Sequence, residues 1–251
     1  MAVSPVQGTA PSTSKRIAAQ DTQALRQVFA AIEANSCPSA YNFHMHTTYS
    51  DGRLKPDELI RQAISLELRG LAITDHHTIQ GYYRARAWLE DWRWRNPTSV
   101  YKGALSSDYP QNSSPHLWIG VEINALLLDT EVHILGYAFS PSHPDIQLYL
   151  QGVAPQKYDR QAEKVIGAIQ TAGGIAVLAH PARYRRPALD LIPEAVRLGI
   201  DGVETYYAYD NPSIWRPSPH QTMAIKQLAD SYQLLSTCGT DTHGLSLNKR
   251  L

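Results

Sequence analysis

The sequence predicts a parallel α/β barrel, on three observations. Short apolar strands alternate with amphipathic helices along the 251 residues, the pattern of β/α units. Nearly every strand ends in an acid or a histidine: His44 and His46, Asp75 and His76, Glu122, His180, Glu204, and Asp241 with His243. In a barrel the C-terminal strand ends form one rim, whereas a doubly wound sheet binds only at its switch point. Charged groups from so many strands therefore fit a closed ring better.

The elements follow in order. Leu25, Val28, Phe29 and Ile32 have helical spacing and predict a helix over 21–35. Cys37-Pro38 ends it and leads into a short strand carrying His44 and His46. Strand side chains alternate faces, so these two histidines project together and could grip one metal ion. Ser50-Asp51-Gly52 reads as a turn. Pro56 with Asp57 and Glu58 opens a second helix, which Gly70 stops. A buried strand at 71–74 ends in Asp75-His76-His77, and a helix follows over 81–94. Residues 96–116 are rich in Ser, Asn, Tyr and Pro and read as a long surface loop. Strands at 117–121 and 131–137, a helix over 156–172, a strand at 175–179 and a helix over 189–198 come next. Glu204 ends a further strand, and a last helix over 221–232 precedes the strand leading to Asp241 and His243.

Composition narrows the function. Lys and Arg balance Asp and Glu, for a formal net charge of zero, which argues against a broad basic surface for duplex nucleic acid. No apolar run reaches 18 residues, so no membrane span is expected. Residues 1–20 read as a disordered tail without the apolar centre of a secretory signal. Two cysteines, Cys37 and Cys238, are too few for a disulfide scaffold, and a reducing, cytoplasmic setting is the expectation.

Of ten histidines, His44, His46, His76, His133, His180 and His243 lie at or beside strand ends, while His116, His143 and His220 fall in loops or at a helix start. Imidazole and carboxylate together suit Zn, Mn or Fe. The candidate ligands over-supply one ion, and a carboxylate such as Glu122 could bridge two.

His44-Met45-His46 with Ser50-Asp51-Gly52, Thr74-Asp75-His76, Gly120-Val121-Glu122, His133-Ile134-Leu135-Gly136, Ala179-His180-Pro181 and Gly239-Thr240-Asp241-Thr242-His243 occur in this order. The set resembles the PHP (polymerase and histidinol phosphatase) family over about residues 41–245. The resemblance implies a distorted (β/α)7 TIM-like barrel spanning 21–251, with two or three divalent ions (Mn, Zn or Fe). It assigns His44, His46, Glu122 and Asp241 to one ion, Glu122, His133 and His180 to a second, and Asp51, His76 and His243 to a third. The family often has Asp where this chain has His77, which reads as a change in what supports the ligands or in a substrate contact. Asp51, His76 and Arg183 are the candidate catalytic residues.

Plainer readings stand beside these. His133 fits a core histidine, His180 a strand terminator, and the Arg183, Arg185, Arg186 cluster a solvated loop; following a ligand strand, these arginines also suit a phosphate. Glu204 is an ordinary strand-end acid or a support for a ligand. Trp88, Trp92 and Trp94 suit helix packing, and Cys238 the core. The resemblance implies a metal-dependent phosphoesterase using metal-activated hydroxide on a small phosphorylated substrate, a nucleoside 3′,5′-bisphosphate or short oligoribonucleotide. Histidinol phosphate is the alternative substrate, and a metal-stabilised interaction module without turnover the alternative class.

Overall fold

A computed structural model describes residues 18–97 and 114–251. Seven strands form one sheet in sequence order: β1 (Tyr41–Asn42), β2 (Gly70–Ile73), β3 (His116–Leu127), β4 (Thr130–Tyr137), β5 (Ile175–Leu178), β6 (Gly202–Tyr206) and β7 (Leu235–Cys238). Helices α1 (Thr22–Ala30), α2 (Pro56–Ser65), α3 (Gln80–Arg95), α4 (Pro144–Gln147), α5 (Ala162–Thr171), α6 (Ala188–Arg197) and α7 (Pro219–Ser231) connect and cover them. Local chemistry sets the helix starts. Asp21 caps α1 by accepting from the Ala24 N–H at 3.0 Å. Pro56 opens α2 with its missing donor where none is needed, and Asp57 and Glu58 face the positive helix end.

The barrel is nearly closed by the chain beyond β1 lying along the chain beyond β7. The Phe43 N–H donates to Cys238 O at 3.1 Å, the Asp241 N–H to His44 O at 2.8 Å, and the His46 N–H to Thr242 O at 3.1 Å. Gly239 makes this approach possible: a Cβ there would stand 2.2 Å from the His44 Cβ. Phe43, Ala72, Trp118, Leu135, Val177 and Cys238, one from each of six strands or its extension, join one apolar layer that α1 plugs with Leu25, Val28 and Phe29. Glu122 lies four residues beyond Trp118 on the same face of β3, so it stands above this floor.

The barrel is not wholly parallel. Strand β4 runs antiparallel to both β3 and β5. Leu128 and Asp129 adopt φ of 49° and 57° and form a two-residue hairpin turn. Leu-Asp lacks the Asn-Gly signature, so the sequence did not announce the reversal. The reversal has a consequence for His133. Near the start of a reversed strand, it reaches the same rim that other strands reach with their ends.

Several boundaries and the cysteines differ from expectation: the first helix already ends at Ala30, and α5 begins only at Ala162, after a 3-10 turn at Lys157–Arg160. Residues 98–113 of the anticipated loop lie outside the described residues, and His116, expected in that loop, begins β3. There it is buried, with Nε2 3.0 Å from Ala18 O. The tail's last residues, Ala18–Gln20, form a 3-10 turn with Ala19 buried. Cys37 and Cys238 are joined in a disulfide, with Cα atoms 6.0 Å apart across a separation of 201 residues. Barrel closure is what brings them together.

A crosslink spanning most of the chain restricts the unfolded state, an effect of roughly 2–5 kcal/mol. Denatured, unreduced protein is therefore expected to show no free thiol, and reduction to lower the thermal midpoint by several degrees. Two titratable thiols in the untreated protein would contradict the pairing.

Candidate metal centre

The site is assembled around Glu122. It is fully buried, as are His44 and His46. Its Oε2 lies 3.0 Å from His44 Nε2 and 2.9 Å from His46 Nε2, while Oε1 lies 2.7 Å from His133 Nδ1 and 3.3 Å from His180 Nε2. Asp241 approaches from the other side, its Oδ1 3.3 Å from His44 Nε2 and 3.2 Å from His46 Nε2. Outward of this, Asp51 Oδ2 stands 3.1 Å from His243 Nε2 and 3.7 Å from His76 Nε2. The ligating atoms of three groups lie within 4.8 Å of one another: His44, His46, Glu122, Asp241; His46, Asp51, His76, His243; and His76, Glu122, His133. His46, His76 and Glu122 each belong to two groups, so the groups share walls.

The donor set fits divalent metal. His46 Nε2 is buried and makes no hydrogen bond despite its proximity to two carboxylates. Nitrogen and oxygen donors thus converge on common points more than they satisfy each other. Mixed imidazole and carboxylate, closely grouped, is chemistry suited to Zn, Mn or Fe. The expected ligands are therefore together, with one rearrangement: His76 groups with Glu122 and His133, where the resemblance placed His180. The His180 ring stays adjacent, 5.3 Å from that of His133.

Opposite charges hold the cluster together. Burial alone would raise Glu122, but the imidazoles of His44 and His133 hold it well below the usual carboxylate range. Asp241 is likewise depressed, with burial opposing and His44 and His46 prevailing. The converse acts on the histidines. Burial lowers His46, but the close Asp241 and Glu122 carboxylates lift it to about 9, and Glu204, Glu122 and Asp241 lift His44 well above its ordinary value. His76 goes the other way, to about 4, because burial outweighs the pull of Glu122.

Several supporting residues carried little or no sequence signal. Glu204 is buried; its Oε1 lies 3.0 Å from His44 Nδ1, and its Oε2 accepts from the His180 N–H at 2.8 Å. It orients two candidate ligands, a role its strand-end position hinted at. Tyr207 donates to Asp241 Oδ2 at 2.6 Å, Arg250 Nε at 2.8 Å and Arg183 Nη1 at 3.0 Å. Asp75 anchors the turn before Asp51 by accepting from the Thr47 N–H and hydroxyl and from the Ser50 hydroxyl. Arg183 therefore reaches the cluster. Arg186 instead faces Asp190 at 3.8 Å, and Arg185 is exposed without a described contact to the cluster. His77 is buried, its Nε2 2.9 Å from Asn124 Oδ1.

A model of the PHP domain matches residues 42–175, just over half of the chain. The chain belongs to the PHP domain family. Among curated relatives of this PHP chain, the 5′-3′ exoribonuclease Rnm of Salmonella typhimurium is 32% identical over 133 residues, covering 53% of the chain and 38% of the relative. The Escherichia coli Rnm is 28% identical over 157 residues, covering 57% and 47%. The chain thus spans less than half the length of these exoribonucleases. A phosphoribosyl 1,2-cyclic phosphate 1,2-diphosphodiesterase of Eggerthella lenta is 25% identical over 262 residues, covering 81% of the chain and 94% of the relative. In structure, a predicted metal-dependent phosphoesterase of Bifidobacterium adolescentis superposes with a TM-score of 0.62 at 22% identity, covering 82% and 88%. An amidohydrolase of Chromobacterium violaceum with bound sulfate and no metal gives 0.62 at 20%, covering 81% and 87%. These two likenesses establish the barrel.

Two expectations follow for the PHP cluster. A histidine raised above its unfolded value stabilises the metal-free fold below about pH 6.5 and loses that contribution as pH rises through its folded value. For His46 that window runs from about 6.5 to about 9; His76, lowered to about 4, is neutral throughout it. The metal-free thermal midpoint is expected to fall across this window, and Zn or Mn binding at pH 7 to release protons, read by titration calorimetry in buffers of differing ionisation enthalpy. Proton release that stays zero would remove the protonated His44 and His46 pair.

Glu204→Gln keeps shape but weakens the hold on His44. Loss of such a support typically costs 10–100-fold in metal affinity. An unchanged affinity would reduce Glu204 to packing.

Proposed function

We propose that this PHP chain is a metal-dependent phosphoesterase acting on a small phosphorylated substrate, a nucleoside 3′,5′-bisphosphate or a short oligoribonucleotide. The observation that carries the reading is Glu122, whose two oxygens serve two adjoining donor groups. Closely spaced ions are a standard arrangement for phosphate ester hydrolysis. His44, His46, Glu122 and Asp241 would hold one ion, and Glu122, His133 and the neighbouring His180 a second; Asp51, His76 and His243 would hold a third. Such ions, of Mn, Zn or Fe, would polarise phosphoryl oxygens and acidify a water toward neutral pH.

The residues divide the remaining work. Asp51 is half-exposed and His76 partly so, which places their donor group on the side a substrate enters. A neutral His76, lowered to about 4, is free to ligate at pH 7. Arg183 uses Nη1 on Asp241 and Tyr207, and its other N–H donors suit a phosphate oxygen. The names of the exoribonuclease and cyclic-phosphate diesterase relatives support phosphoester hydrolysis with a nucleotide-like substrate. Full donor groups favour turnover over a silent interaction module. No helix among the described residues is long and apolar enough to cross a membrane. We place the protein in the cytoplasm, with the Cys37–Cys238 pair buried.

A phosphate-release panel of bisphosphonucleotides, mononucleotides, histidinol phosphate and short RNA tests the reading. His44→Ala or Asp241→Ala is expected to lower turnover more than about 100-fold and to reduce bound metal, since affinity and catalysis depend on the same ligands. Full activity with unchanged metal stoichiometry in either variant would end the proposal.

A further inference from the structure

Strands β4 and β5 run antiparallel, and their ladder pairs Ile134 with Leu178. Continuing that register pairs His133 with Ala179, the residue before His180. The Ala179 N–H donates to His133 O at 3.1 Å. In a regular antiparallel pair the return bond runs directly, here from the His133 N–H to Ala179 O. The Tyr184 hydroxyl stands in its place. It accepts from the His133 N–H at 2.8 Å and donates to Ala179 O at 3.2 Å.

Tyr184 lies in the loop after β5, and that loop folds back to bring it there. His180 takes φ of 27° and ψ of 59°, a left-handed conformation uncommon for a residue with a side chain. Pro181 after it disfavours the right-handed helical alternative. Pro181–Arg183 then form a 3-10 turn, closed by the Arg183 N–H on His180 O at 2.9 Å. Glu204 Oε2 holds the His180 N–H, and the Tyr209 hydroxyl accepts from the Ala182 N–H at 3.3 Å. A strained turn persists only where its surroundings hold it in this way. The Tyr184 ring ends partly buried, its centroid 5.4 Å from that of His180 and 6.5 Å from that of His133.

We propose that Tyr184 is a positioning residue of the metal centre: its hydroxyl, wedged between β4 and the end of β5, sets the spacing of His133 and His180 as a pair of ligands. The inference rests on the metal-dependent reading of the site and deepens it, by naming what fixes the geometry of the second ion group. His133 Nδ1 and His180 Nε2 both face Glu122 Oε1, at 2.7 and 3.3 Å, with ring centroids 5.3 Å apart. A direct N–H···O bond spans about 2.9 Å, whereas the crossing through the hydroxyl takes two bonds. The backbone is therefore held wider at the point where both ligands leave the sheet. Without the hydroxyl, the His133 N–H can close on Ala179 O, and the two imidazoles shift relative to each other. Tyr184 hydrogen-bonds to none of His44, His46 and Asp241 among the described residues, so the first ion group does not depend on it.

Calorimetric titration of the chelator-treated full chain with Mn(II) tests this in the wild type, Tyr184→Phe, His133→Ala and the double variant. Tyr184→Phe is expected to weaken one class of ions about 10–100-fold, the usual effect of losing a group that orients a ligand, and to leave the rest as in the wild type. His133→Ala is expected to remove the same class, so that adding Tyr184→Phe to it changes nothing further. Tyr209→Phe drops a hydrogen bond of the same loop without touching the ladder, and is expected to bind Mn(II) as the wild type does. Because the ladder can close, the metal-free thermal midpoint of Tyr184→Phe is expected to move by no more than a few degrees. Unchanged Mn(II) binding in Tyr184→Phe, an equal loss in Tyr209→Phe, or a further loss on the His133→Ala background would each overturn the proposal. A midpoint lowered by more than a few degrees would make Tyr184 a merely structural residue and overturn it too. A wild type that takes up no Mn(II) would overturn it together with the metal centre. A wild type that binds Mn(II) but releases no phosphate from any member of the panel would refute the phosphoesterase reading alone.

Discussion

A fully buried carboxylate governs this structure. Removing one charged group from water costs several kcal/mol unless cations or hydrogen bonds replace the lost solvation. Glu122 meets that demand with His44, His46, His133 and His180, which come from three separate parts of the chain. The requirement is mutual. The raised His44 and His46 and the depressed Glu122 describe one cluster of opposite charges in which each member holds its partners ionised. Divalent ions would replace the protons in that arrangement with the donors already in place.

The fold delivers these groups by two departures from a regular barrel. The reversed strand β4 brings His133 to the rim from a strand interior, opposite Asn124 and two residues from the register partner of Glu122. The chain ends of β1 and β7 run side by side, so that His44 and His46 lie against Asp241 and His243. Gly239 permits that contact, and the Cys37–Cys238 pair lies just below it in the apolar floor. The floor and the charged layer are successive storeys of the same strands, which is why Trp118 and Glu122 share a face of β3.

Asp241 illustrates how a candidate ligand is divided between two tasks. Its Oδ1 faces the histidines, and its Oδ2 accepts from Tyr207, Arg183 and Arg250. Donors on one oxygen fix which oxygen is offered inward. Burial and the Asp241 charge raise the Tyr207 phenol far above its ordinary value, so it remains a donor at any physiological pH. The same arginines give this flank of the site its positive character. Glu204 plays the matching part for His44, whose two ring nitrogens are divided between Glu204 and the cluster.

What the sequence determined by itself was the alternation of strands and helices and the kind of residue at each strand end. Both are local: helix spacing, a proline at N1, and His-x-His on an extended segment are written within a few residues. The ordered motifs from His44 to His243 identified the donors now found together. Tertiary structure decided the rest, because it concerns groups far apart in the chain. The β4 reversal depends on a Leu128-Asp129 turn without the usual residues. The cysteines pair across 201 residues because the barrel closes. Arg186 turned to Asp190, while Arg250, which no motif marked, reached Asp241 through a hook whose hydrogen bonds run to Asn42 and Gln62. Which donors share an ion, and which cations border them, is set by three-dimensional proximity, and sequence spacing carries no record of it.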